Sequence, residues 1–163
     1  MKIKALTTSS LLLALGLLLH TITPPLLGGV KPDFLLASMF LAIALSPKAS
    51  HTLAIGLAAG ILAAMTTGFP GGQIPSILDK LVSAYFVYGL FTLYKTSNNL
   101  IFSLITFLGT LISGLVFLLS AFVLVGLPVS FGSLVLVVVL PTACANAIVN
   151  LLLHKSLHVM VKI

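Results

Sequence analysis

The sequence predicts an all-α integral membrane protein, a bundle of about six transmembrane helices. Three observations predict it. Of 163 residues, 60% are hydrophobic and 6% are charged, against about 25% charged in an average soluble domain. Apolar runs are cut at intervals by proline and glycine. The lysines stand singly in those breaks rather than in clusters. Too few polar side chains are present to cover a soluble surface, so the natural solvent is lipid.

The first apolar segment is Ala5 to Thr23. Its start, with Lys2 and Lys4 before Leu11 to Leu19, looks like a secretory signal. Thr23-Pro24-Pro25 follows instead of a small-x-small cleavage pattern, so it is read as a membrane helix. The second, Phe34 to Ser46, is short for a bilayer that needs about 20 residues. The third is Ala49 to Thr67, the fourth Ile77 to Tyr94, the fifth Leu100 to Val125 and the sixth Leu134 to His154. Proline lacks an amide donor and glycine frees the backbone, so helices stop at Gly28-Gly29, Pro32, Pro47, Pro70 to Pro75, and Gly126 to Gly132. No linker divides the chain, which is read as a single transmembrane domain over residues 1–163.

Charge orients the bundle. Lys2, Lys4, Lys48, Lys95, Lys155 and Lys162 all fall on one side of an alternating six-helix path. The positive-inside rule then puts both termini in the cytoplasm. A net charge of +6 arises without a basic cluster interleaved with aromatics, so no nucleic-acid partner is expected. Gly56-x-x-x-Gly60, Ser10-x-x-x-Ala14 and Gly109-x-x-x-Ser113 are small-residue spacings that suit close helix packing. Cys144 is expected to be a small buried residue.

Membrane-edge charges usually have a purpose. On the outer side they occur twice, each time with both signs, as Lys31 with Asp33 and Asp79 with Lys80. An amino acid is a zwitterion and needs partners of both signs. These four side chains can supply them, and the Gly71-Gly72 backbone can bring amides to a carboxylate. The alternative is two local salt bridges that pin the loops. Thr142, Asn146 and Asn150 are spaced by four on the sixth helix, with Asn146 ~18 Å along from Leu134, near mid-bilayer. They serve either interhelical hydrogen bonds or a pocket floor. Phe34, Phe69, Tyr85 and Phe131 lie near the outer connections and suit an aromatic substrate or interface anchoring. His20 is read as structural, and His51, His154 and His158 as interface residues. No metal spacing, nucleophile set or phosphate loop occurs, so neither an enzyme nor a cofactor is expected.

Val30-Lys31-Pro32-Asp33, and Thr66 to Pro75 with its Phe69-Pro70-Gly71-Gly72-Gln73-Ile74-Pro75 core before Asp79-Lys80, resemble the bacterial tryptophan transport protein family, TrpP. The likeness extends through Leu19-His20, Gly126-Leu127-Pro128 and Leu140-Pro141. That family is similar in size and helix count to the S components of energy-coupling factor (ECF) transporters. The resemblance implies an ECF S-component-like fold, a bacterial cell-membrane location, and an outward pocket capped by residues 24–33 and 68–80. It implies tryptophan as substrate, with Lys31, Asp33, Phe69, Gly72, Gln73, Asp79 and Lys80 near the gate. Asn146 is expected to contact the ligand. An ECF-type energising module is an implied partner, although Ser10-x-x-x-Ala14 is a loose version of the docking patch. A vitamin or other small metabolite is the alternative ligand, and a solute-free scaffold the alternative role.

Overall fold

A computed structural model describes residues 3–24, 31–94 and 98–160, the last four without side-chain detail. Lys2, Pro25 to Val30, Lys95 to Ser97, Lys162 and the side chain of His158 lie outside the described residues.

The described residues are helical: α1 (Ile3–Ile22), α2 (Phe34–Leu45), α3 (Ala49–Thr66), α4 (Gln73–Leu93), α5 (Asn99–Leu124), α6 (Phe131–Leu134) and α7 (Leu140–Met160). A π-helical turn over Val135–Val139 joins α6 to α7, and the three form one sixth span. Consecutive spans alternate in direction, so the end of α1 and the start of α2 share one end of the bundle. The α3–α4 and α5–α6 turns meet there too.

Local chemistry sets the boundaries. Asp33 caps α2, its Oδ1 accepting from Leu36 N–H at 2.9 Å. Asn98 caps α5 through Leu100 N–H at 2.8 Å. Gly126, at φ +88°, donates to Ala121 O at 3.0 Å and closes α5. The fourth helix starts at Gln73, earlier than Ile77, because Pro75 falls in its first turn, where no intrahelical donor is needed. The sixth span starts at Phe131 and contains an unexpected π turn, closed by Leu140 N–H on Val135 O. Pro141 follows directly, and a proline ring crowds the carbonyl four residues before it. Widening the preceding turn relieves that crowding.

Five spans are long and apolar enough to cross a membrane, while α2 is shorter. At ~1.5 Å per residue, twelve residues reach only about 18 Å. Yet α2 is the centre of the bundle, buried from Leu35 to Ile43. Its neighbours, not its own length, bridge the bilayer. Glycine allows close approach around it. A Cβ on Gly60 would stand 3.0 Å from the Ile77 Cα, and one on Gly56 3.1 Å from Ala84 Cβ, so α3 lies tight on α4. A side chain at Gly109 would collide with Val87 and Phe40. By contrast Ser10 and Ala14 face outward on α1. Cys144 is also exposed, contrary to expectation, on the outward side of α7.

Candidate functional site

At the end of the bundle where α1 finishes and α2 begins, a partly open cavity of about 390 Å³ penetrates between the helices. That lies within the range of small-molecule sites. One wall is ionic. Lys80 Nζ donates to Asp33 Oδ2 at 3.2 Å and to Asp79 Oδ2 at 3.2 Å. Asp79 Oδ2 also accepts from Ser113 Oγ at 3.2 Å. His20 Nδ1 stands 3.5 Å from Asp33 Oδ1 without hydrogen-bond alignment. Lys80 and Asp79 are buried, whereas the Asp33 side chain keeps 22% of its surface open. The opposite wall is apolar. Phe69 meets Phe117 edge to face, ring centroids 5.5 Å apart, beside Leu118, Val138 and Val139.

Each part has a local cause. Asp79 and Lys80 sit in the second turn of α4 with Ser76 and Ser83 on the buried face. Thr106, Thr110 and Ser113 give α5 a polar stripe at helical spacing, also buried. The short α2 begins at Asp33, which places a carboxylate beside the second turn of α4. Two further bonds hold Asp33 there. Its N–H donates to Asn146 Oδ1 at 2.8 Å, and Asn146 Nδ2 donates to Thr110 Oγ1 at 3.3 Å. Burial pushes the Asp33 carboxyl up. Lys80, then His20 and the Leu36 amide, outweigh burial and hold it below its ordinary value.

Of the residues singled out in the sequence, Asp33, Phe69, Asp79 and Lys80 line the cavity. Lys31, Gly72, Gln73 and Asn146 do not. Lys31 is half-buried and forms no ion pair among the described residues. The two charged pairs are therefore not two local salt bridges: Lys80 holds both acids. Gly72 N–H is taken by Phe69 O at 2.9 Å in a turn that Gly71 makes at φ +70°. That amide is not offered to a ligand. Gln73 is exposed on the first turn of α4. Asn146 is fully buried behind the wall.

Other readings change as well. Tyr85 is not near the outer connections, since its hydroxyl approaches Ala49 O at 3.5 Å, at the opposite end. Phe34 and Phe131 do not line the cavity; Phe117 does. His51 is buried, its Nδ1 2.9 Å from Ser46 Oγ, and His154 stacks on Phe102. Thr110, Ser113 and Phe117 were missed as lining residues; the Thr106, Thr110, Ser113 spacing marks the first two, while nothing in the sequence marks Phe117.

With this geometry in place, comparison with known proteins is specific. A family model described as "Tryptophan transporter TrpP" matches residues 2–162. A "Probable tryptophan transport protein" of Bacillus subtilis (strain 168) is 44% identical over 99% of this chain and 95% of its own length. A protein of the same description from Clostridium acetobutylicum is 45% identical over 98% of this chain and 97% of its own. A third, from Clostridium perfringens (strain 13 / Type A), is 40% identical over 93% and 90%. No solved structure matches the chain.

Proposed function

The chain belongs to the TrpP family of tryptophan transporters, and from that premise we propose that it takes up tryptophan, binding it in the cavity between Asp33, Lys80 and the Phe69–Phe117 wall. One observation carries the reading: a single cavity pairs ionic groups of both signs with an aromatic, apolar face. A zwitterion with a large ring needs both.

The roles follow from exposure and free valence. Asp33, the more open acid, receives the ammonium. Lys80 has three N–H donors, two engaged by the acids. The third meets the substrate carboxylate, with the Thr67 hydroxyl, whose oxygen already accepts from Phe69 N–H at 3.2 Å. The indole lies against Phe69 and Phe117, where ring edges and faces are both available. Asn146 positions Asp33 from behind, Gly72 and Gln73 shape the turn carrying Phe69, and Lys31 draws the carboxylate to the mouth. The paired charges argue against a solute-free scaffold, which needs no such cavity.

The chain is read as a single transmembrane domain in a bacterial cell membrane. Both termini are cytoplasmic, as the one-sided lysines support. A second reading of the energy source is an ECF-type module docked on α1. Its support is that Ser10 and Ala14 face outward while the other small-residue pairs are buried.

The chain has no tryptophan of its own, so the ligand's indole fluorescence reports binding directly. Saturable binding, with competition by vitamins and other amino acids much weaker, supports the assignment. Equal competition by an unrelated metabolite removes it.

A further inference from the structure

Asp79 is the group in the cavity whose charge is least compensated. It is 4% exposed, its Oδ2 is shared by Lys80 Nζ and Ser113 Oγ, and its Oδ1 is buried without a hydrogen-bond partner. Lys80 Nζ also serves Asp33. One cation thus faces two carboxylates, and with both ionised the triad carries a surplus negative charge.

The neighbours of Asp79 do not remove that surplus. On α4 the facing charge is Lys80, and before α2 it is Asp33. On α1 it is His20, which lies against Asp33. The cavity linings from α3, α5 and the sixth span, such as Thr66, Thr110 and Thr142, hold no titratable side chain. Lys31 does not line the cavity.

We propose that Asp79 is a proton-binding site, and that it takes up one proton when the substrate enters, so that substrate and proton load the cavity together. The inference rests on the reading of the cavity as the tryptophan site. In the partly open cavity without substrate, water reaches the triad through Asp33, whose side chain keeps 22% of its surface open, and so screens the surplus charge. A zwitterion brings no net charge and expels that water, and an anion left in a low dielectric is disfavoured. A proton from solvent on Oδ1, the oxygen without a donor, turns Asp79 into a neutral acid. Oδ2 still accepts from Lys80 and Ser113, and Asp33 with Lys80 remains a matched ion pair. No bond to the substrate forms or breaks. The loaded site is then neutral, which suits passage through a membrane that penalises net charge. A carrier so built draws on a proton gradient.

Calorimetric titration of the purified full chain with tryptophan, in buffers of different ionisation enthalpy, counts the protons exchanged. The expected count is about one taken up per tryptophan, with affinity falling by up to about tenfold per pH unit on the alkaline side. In Asp79→Asn the count drops to zero and the remaining affinity no longer follows pH. In His20→Gln the proton is still taken up. Wild-type binding without proton exchange, across the range where carboxyl and imidazole groups titrate, overturns the inference. So does proton release, dependence on sodium instead of pH, or an uptake lost in His20→Gln but kept in Asp79→Asn. If Asp79→Asn does not fold, the wild-type count read together with that of His20→Gln decides. Absence of any tryptophan binding removes the reading beneath, and is distinguishable from binding without a proton.

Discussion

Lys31 with Asp33, and Asp79 with Lys80, look alike in the sequence. Each combines both signs, at the same end of the bundle. In space they differ. Lys80 reaches Asp33, 47 residues away, and buries between both acids. Lys31 stays half-buried outside the cavity with no described ion partner. The difference lies in which side of the chain meets protein. Lys80 projects from the buried face of α4, while Lys31 precedes the helix that Asp33 caps. Similar charge patterns therefore end in unequal surroundings, and the proposed substrate site is the one where a single cation serves two anions.

That contrast can be broken by substitution, starting with the greatest loss. Lys80→Met leaves the buried Asp79 and the partly buried Asp33 without their cation. Removing one partner of a buried pair costs about 3–5 kcal/mol, so thermal unfolding in detergent is lowered and tryptophan binding is lost. Asp33→Asn keeps the shape but removes the ammonium's partner. A charged hydrogen bond contributes about 1.5–3 kcal/mol, so fluorescence titration reads a Kd raised roughly tenfold to a hundredfold. Asn146→Leu leaves the partly buried Asp33 N–H without its acceptor, at most about 1–3 kcal/mol. Here stability falls in thermal unfolding, and the affinity loss is smaller than for Asp33→Asn. Lys31→Ala is the least disruptive. A partly exposed charge is worth about 0–1 kcal/mol, so affinity changes by less than about fivefold. A Lys31 effect as large as that of Lys80 would erase the distinction between the two pairs.

Much of the fold was legible because hydropathy and breakers are local properties. The apolar runs and the proline and glycine breaks locate six spans. What was not legible depends on faces. Uniformly apolar helices do not reveal which side meets lipid, so the burial of α2 and the exposure of α1 could not be read. Pro75 looked like a break but is tolerated in a first helical turn, which displaced the start of α4. The π turn depends on how Pro141 is accommodated, and no residue within Val135–Val139 announces it. In the site, Asp33, Phe69, Asp79 and Lys80 were marked by charge and turn chemistry. Phe117 was not, because a phenylalanine on a leucine-rich helix carries no signal of its own. Asn146 was noticed for its depth, but its partner, a backbone amide 113 residues away, is a property of the packed bundle.

The central claim is that Asp33, held by Lys80, reads the ammonium of an amino acid. It is tested most directly by titrating the wild-type chain and Asp33→Asn with tryptophan and with indole-3-propionate, which keeps the ring and carboxylate but lacks the amine. The account predicts that wild type prefers tryptophan by at least about tenfold, and that Asp33→Asn abolishes the preference by weakening tryptophan alone. An undiminished preference in Asp33→Asn, or none in the wild type, would contradict it.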